Sequence, residues 1–212
     1  MSIAEIYEAV LEYDEERVPE LVEAALGAGA VVDDVLSQGL VAALDDIGRR
    51  FSEGTLFVPE MLLAAEAVQA GLEIIRPLLA DSGIKPIGTV IIGTVKGDLH
   101  DIGKNLVTMM LEGGGFRVVD LGTDVDSEQF IGAAQKHEAD IVALSGLLTT
   151  SMPEMHKTVE AISAANRSRN INVKVMVGGP PINQEFADTI GADAYSIDAP
   201  GAVAGARALV QA

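Results

Sequence analysis

The segment Lys96-Gly97-Asp98-Leu99-His100-Asp101-Ile102-Gly103 places an imidazole two residues after a carboxylate, with a glycine on either side of the pair. An imidazole is a good metal ligand when one ring nitrogen faces the metal and a carboxylate orients and polarises the other. His100 is the candidate ligand and Asp98 the candidate carboxylate. Gly97 permits a sharp turn, and Gly103 omits a side chain where something bulky would lie against a helix start. One histidine cannot hold a metal alone, and neither His137 nor His156 stands at ligand spacing from it; both lie in polar helical stretches and are expected to be surface residues. The chain has no cysteine, which removes disulfides, thiolate sites and a cysteine nucleophile. A metal at His100 is therefore expected to arrive inside a macrocycle. Two further segments are built from small residues: Ala143-Leu144-Ser145-Gly146-Leu147-Leu148-Thr149-Thr150-Ser151 and Val177-Gly178-Gly179-Pro180. Side-chain-free strand ends let a ligand approach closely, and together these edges predict a narrow slot for an elongated, partly apolar group.

Such residues need a frame. From Gly88 onward short apolar runs alternate with amphipathic ones, predicting strands at 88–95, 116–121, 140–145, 173–177 and 194–197. The helices between and after them are predicted at 103–112, 127–138, 153–166, 183–190 and 200–211. Continuous apolar strands alternating with helices argue an α/β fold, a five-stranded parallel, doubly wound sheet of flavodoxin-like type. Ligands of such sheets bind beyond the carboxyl ends of the strands where strand order reverses, here the loops after Val95 and Leu144. Residues 1–84 carry helical spacing instead. Four stripes, around Ile3–Leu11, Val18–Leu26, Val32–Phe51 and Pro59–Leu79, predict a four-helix bundle. Asp81–Pro86 reads as a linker, giving domains at 1–84 and 87–212.

The 212 residues are 49% apolar, enough to fill a core, and the formal net charge of −18 argues against binding a phosphate backbone. No apolar run approaches the ~18 residues of a membrane span, and the start Met1-Ser2-Ile3-Ala4-Glu5-Ile6 lacks the order of a signal peptide. A cytoplasmic protein without nucleic-acid or membrane partners is expected.

Asp98-Leu99-His100-Asp101-Ile102-Gly103 resembles the Asp-x-His-x-x-Gly motif of the cobalamin-binding domains of methionine synthase, of methylamine, methanol and O-demethylase corrinoid proteins, and of B12-dependent mutases. Ser145-x-Leu147 and Gly178-Gly179 complete that signature at matching spacing. Phe51-Ser-Glu53-Gly54-Thr-Leu-Phe57-Val58-Pro59-Glu60-Met61-Leu62 resembles the cap module of the methyl-transferring members. The resemblance implies cobalamin, as methylcobalamin or another corrinoid, bound base-off with His100 on cobalt. It further implies that Asp98 accepts the other ring N–H and that Ser151 continues the relay to solvent, linking protonation to cobalt oxidation state. Asp101, Ile102 and Gly103 complete the motif beside the cofactor. Ser145, Leu147 and Thr149 are expected to touch the buried nucleotide tail, Gly178 and Gly179 to leave room for it, and Tyr195 and the residues to Ala199 to close the slot. Phe51, Val58 and Met61 are expected to cover the methyl face.

The function implied is that of a non-catalytic carrier subunit. One methyltransferase would methylate the cobalt from a methylamine, methanol, a betaine or a methoxyarene, a second would pass the methyl to tetrahydrofolate or a thiol, and a reductive activase would rescue oxidised cobalt. A barrel methyltransferase takes about 250 residues, which this chain does not have. A cobalamin-dependent regulator would be expected to add a basic DNA-binding segment, and a mutase subunit is disfavoured by the methyl-type cap. A flavodoxin would need a hydroxyl-rich phosphate loop after strand one. A receiver domain would need an aspartate where Leu144-Ser145 stand.

Overall fold

A computed structural model describes residues 2–82, 85–169 and 171–211. The chain forms two compact units, Met1–Pro86 with Met109–Gly115, and Ile87–Thr108 with Phe116–Ala212.

The first unit is helical. α1 (Ile3–Leu11) and α2 (Arg17–Gly27) bury Ile6, Ala9, Val10, Val18, Leu21, Val22 and Ala25, the stripes that the 3.6-residue period predicts. The third stripe is less regular than its spacing suggests. It opens as α3 (Val32–Asp34), widens into a π-helix over Val35–Val41 and resumes as α4 (Ala42–Ser52). Gly39, inside the π stretch, lies against α1: a Cβ there would sit 3.2 Å from Cγ2 of Ile6. α5 (Val58–Ser82) runs past the expected end at Leu79, so Asp81 and Ser82 of the expected linker are helical. Gly83 and Ile84 of that linker lie outside the described residues.

The second unit is the parallel sheet. β1 (Thr89–Thr94), β2 (Arg117–Asp120), β3 (Ile141–Ser145), β4 (Lys174–Gly178) and β5 (Ala194–Ser196) lie in the order β2-β1-β3-β4-β5, every neighbouring pair parallel. Strand order reverses between β1 and β3, as expected. The connecting helices are α6 (Ile102–Gly113), α7 (Ser127–His137), α8 (Met152–Ser168), α9 (Gln184–Ile190) and α10 (Ala199–Gln211).

Strand alternation sorts the core. Ile91, Val142, Leu144, Val175 and Val177 join Phe130, Val159, Ile162 and Ile190 in one buried cluster. Phe130 packs so closely on β1 that a Cβ at Gly93 would stand 2.8 Å from its ring, which accounts for a glycine in the middle of a buried strand. Local chemistry fixes the helix starts. Asp126 Oδ1 accepts from Gln129 N–H at 3.0 Å while the Gln129 side chain accepts from Asp126 N–H, and Asn183 Oδ1 caps α9 by accepting from Phe186 N–H at 2.8 Å.

Candidate corrinoid site

β1 delivers its chain end to a loop that the fold ties down at several points. Thr94 N–H donates to the Gly122 carbonyl, Asp124 N–H to the Asp98 carbonyl, and Thr94 Oγ1 to the His100 carbonyl at 2.8 Å. Gly97 takes a φ of +82°, which lets the chain double back at little cost.

Asp98 is at 0% exposure. Its Oδ1 accepts from His100 N–H at 3.1 Å and lies 2.7 Å from His100 Nδ1. Its Oδ2 accepts from Leu147 N–H at 2.7 Å and Leu148 N–H at 3.2 Å. Ser151 Oγ lies 3.1 Å from that oxygen and 2.7 Å from the Leu148 carbonyl, its single proton serving one at a time. Burial by itself pushes a carboxyl group upward. Here the His100 ring and the N–H groups of His100, Leu147 and Leu148 outweigh it and hold Asp98 well below the usual carboxylate range. An ionised carboxylate only accepts, so the proton of neutral His100 belongs on Nδ1, and Nε2 presents its lone pair outward. The His100 side chain is 53% exposed, open to a ligand on that side.

The loop after β3 therefore matters first through its backbone. Leu147 contributes an amide to Asp98 and leaves its side chain exposed, while Thr149 is exposed in a 3₁₀ turn over Thr149–Ser151. Ser151 is 2% exposed and anchors Asp98 from inside the protein, where the sequence leads one to expect a relay out to solvent. Gly179 has a φ of +127°, and a Cβ there would fall 2.0 Å from the Gly146 carbonyl oxygen; at Gly178 a Cβ would meet the Ser196 carbonyl at 3.1 Å. The glycine pair thus has a reason within the chain itself, the close approach of the loops after β3 and β4. Asp101, Ile102 and Gly103 are exposed. Among the described residues, no atom beyond its chain neighbours and its own helix backbone lies within 4 Å of a Cβ placed at Gly103, so packing gives no reason for glycine there. Tyr195 packs with the Phe130 cluster, the opposite side of β5 from Ser196.

Phe51, Val58 and Met61 belong to the helical unit. Phe51 is half-buried near the end of α4, Val58 is exposed at the start of α5, and Met61 lies inside the bundle core. His137 Nδ1 lies 3.4 Å from an Arg117 guanidinium nitrogen and His156 Nε2 lies 3.6 Å from Glu160. Among the described residues no three His, Asp or Glu side chains gather as a metal site.

Two features were not read from the sequence. Lys104, which a helical pattern makes a surface residue, is buried in an ion pair with Asp120 and donates to Asn105 Oδ1 at 2.6 Å. A row of small residues also crosses the sheet at its carboxyl edge, Thr94 beside Ser145, Ser145 beside Gly178, and Gly178 beside Ser196. The periodicity of single strands carries no information about which residues become lateral neighbours.

These residues fit a corrinoid. A ring nitrogen with its tautomer fixed faces outward, a row of small residues continues from it across the sheet, and large apolar side chains stand exposed on the flanking loops and at the start of α6. Those are Leu99, Ile102 at 80%, Leu147, Leu148 and Ile197 at 82%, a concentration that an apolar ligand face would cover.

Comparison with known proteins agrees. Residues 88–206 match the family model described as a B12 binding domain, and residues 2–76 match a second model with the same description. The chain belongs to the B12-binding corrinoid proteins of methyltransferase systems. Its cofactor is accordingly a corrinoid. It is 40% identical over 210 residues to trimethylamine corrinoid protein 1 of Methanosarcina acetivorans, covering 98% of this chain and 96% of that one. A cobalamin-binding protein of Desulfitobacterium hafniense superposes with a TM-score of 0.81 at 29% identity, covering 99% of this chain and 98% of that one. A chain of the methanol:cobalamin methyltransferase complex MtaBC of Methanosarcina barkeri superposes at 0.82 with 31% identity, covering 99% of this chain and 79% of that one. Both show the same plan of a helical cap followed by a five-stranded parallel sheet. No helix among the described residues is long and apolar enough to cross a membrane.

Proposed function

We propose that this corrinoid protein holds its cofactor base-off through His100 and carries a methyl group between two methyltransferases. The observation that carries this reading is the buried Asp98 carboxylate hydrogen-bonded to His100 Nδ1, which leaves Nε2 as an outward donor. Bound there, the corrinoid supplies a cobalt centre able to take up a methyl group and give it away.

The chain's own part is to hold, orient and shield. Asp98 fixes the tautomer and angle of the His100 ring, and the amides of Leu147 and Leu148 with Ser151 fix Asp98 in turn. Ser145, Leu147, Thr149, Gly178 and Gly179 border the place for the nucleotide tail, and Asp101, Ile102 and Gly103 lie beside the ring. In the cap domain, set at 1–84 with the cofactor domain at 87–212, the half-buried Phe51 and exposed Val58 are apolar side chains of the kind that can shield a reactive group from water, and Met61 packs within the bundle. Tyr195 supports β5 from its other side.

The partners are a substrate-specific corrinoid methyltransferase, a second methyltransferase that delivers the methyl group to tetrahydrofolate or a thiol, and a reductive activase. The naming of relatives for trimethylamine, and the match to a methanol:cobalamin methyltransferase complex, support methylated amines or methanol as the donor class. The cytoplasm, where reductant is at hand, is the setting this chemistry requires.

Transfer itself is the test. The reduced, corrinoid-loaded protein is mixed with each donor and its cognate methyltransferase in separate reactions, and the cobalt absorption is followed. Conversion with one donor, absent when that methyltransferase is omitted, is expected. No conversion with any amine, methanol or methoxyarene system would overturn the carrier assignment.

A further inference from the structure

Ser196 closes the row of small residues at the carboxyl edge of the sheet, next to Gly178. It is 8% exposed, and its hydroxyl is a buried polar group with no hydrogen-bond partner among the described residues. The other side of its surroundings is α10, which meets β5 with small residues. A Cβ at Gly205 would stand 3.5 Å from Ser196 Oγ and 3.9 Å from Met176 Cε, and a Cβ at Gly201 would stand 4.0 Å from Ser196 Cβ. Ala199, Ala202 and Ala206 continue this helix as buried residues. Along the same row Thr94 has its hydroxyl committed to the His100 carbonyl. Ser196 therefore keeps an unmet hydrogen bond beside a strip where the chain has left out side chains. A buried polar group left unpaired is costly, and native chains seldom retain one without a partner outside the protein.

We infer that the Ser196 hydroxyl binds a polar atom of the corrinoid's nucleotide tail and thereby selects corrinoids that carry a complete lower nucleotide. The inference rests on the proposed base-off binding mode, since only a released tail reaches the sheet edge. It assigns to Ser196 a contact that the Asp-x-His-x-x-Gly, Ser-x-Leu and Gly-Gly motifs do not include.

The experiment compares equilibrium binding of cobalamin and of cobinamide, which lacks the nucleotide, to the wild-type protein and to Ser196→Ala, together with the melting temperature of each protein without cofactor. Ser196→Ala is expected to weaken cobalamin binding roughly threefold to tenfold, the size of one neutral hydrogen bond. Cobinamide binding should change less than about twofold, and the cofactor-free variant should melt no lower than wild type, because the hydroxyl it loses has no partner among the described residues. An equal loss for both corrinoids, or a destabilised cofactor-free protein, would show a structural role and overturn the inference. Undiminished cobalamin binding would overturn it too. A wild-type protein that does not prefer cobalamin to cobinamide would instead defeat the base-off reading on which the inference stands.

Discussion

Asp98 accepts from two side chains and three backbone amides while wholly shielded from water. Its geometry is thereby over-determined, and its charge is held by the donors around it. Asp98→Asn keeps the shape but turns one acceptor oxygen into an amide that faces N–H donors. Breaking a buried charged network by removing one partner costs about 3 kcal/mol or more, against about 1 kcal/mol for Ser151→Ala, which removes a single hydroxyl. Urea denaturation of the cofactor-free variants should give that order, with Asp98→Asn the less stable. The pair itself was legible because Asp98 and His100 stand two residues apart. The Leu147 and Leu148 amides that anchor Asp98 were not, since every residue has an amide and only the fold of the loop after β3 aims these two. The stretch from Tyr195 to Ala199 was legible only as a whole: strand alternation turns Tyr195 toward Phe130 and Ser196 to the opposite side of β5, a division that its place in the chain does not give.

At the level of elements, the positions of the strands and the reversal between β1 and β3 could be read because apolar strands and amphipathic helices have distinct periods. The π-helix over Val35–Val41 could not, because one extra residue per turn over so short a stretch hardly disturbs a helical stripe. Glycines carried mixed signals. Gly178-Gly179 was read as room for a ligand, and the structure adds that Gly179 is held against the Gly146 backbone. Gly103 is the reverse case, a glycine in α6 that no side chain among the described residues crowds. Gly103→Ala should therefore raise the stability of the cofactor-free protein by about 0.5–1 kcal/mol through helix propensity, while weakening corrinoid binding by crowding the ring. Thermal melting and titration with hydroxocobalamin would measure the two effects separately, and binding unchanged in a stabilised variant would remove Gly103 from the site.

The whole molecule carries a formal charge of −18. Much of the excess lies in the helical unit, where Glu5, Glu8, Glu12, Glu15, Glu16, Glu20 and Glu23 are all exposed. Like charges at this density oppose compaction and are screened over about 10 Å at 0.1 M salt. The melting temperature of the cofactor-free protein should accordingly rise by a few degrees between low salt and about 0.5 M sodium chloride, and a fall would show that ion pairs such as Arg49–Asp46 outweigh repulsion.

The central claim is that the imidazole of His100, and not the cofactor's own base, sits on cobalt. The most direct measurement is electron paramagnetic resonance of the cobalt(II) form bound to protein labelled with nitrogen-15 only at histidine, compared with unlabelled protein. An axial nitrogen splits each cobalt line into a triplet when it is nitrogen-14 and a doublet when it is nitrogen-15. The account predicts triplets in unlabelled protein that become doublets on labelling and disappear in His100→Ala. Triplets that persist in the labelled protein would mean that the cofactor's base remains on the metal, and the reading of Asp98 and His100 as a ligand pair would be contradicted.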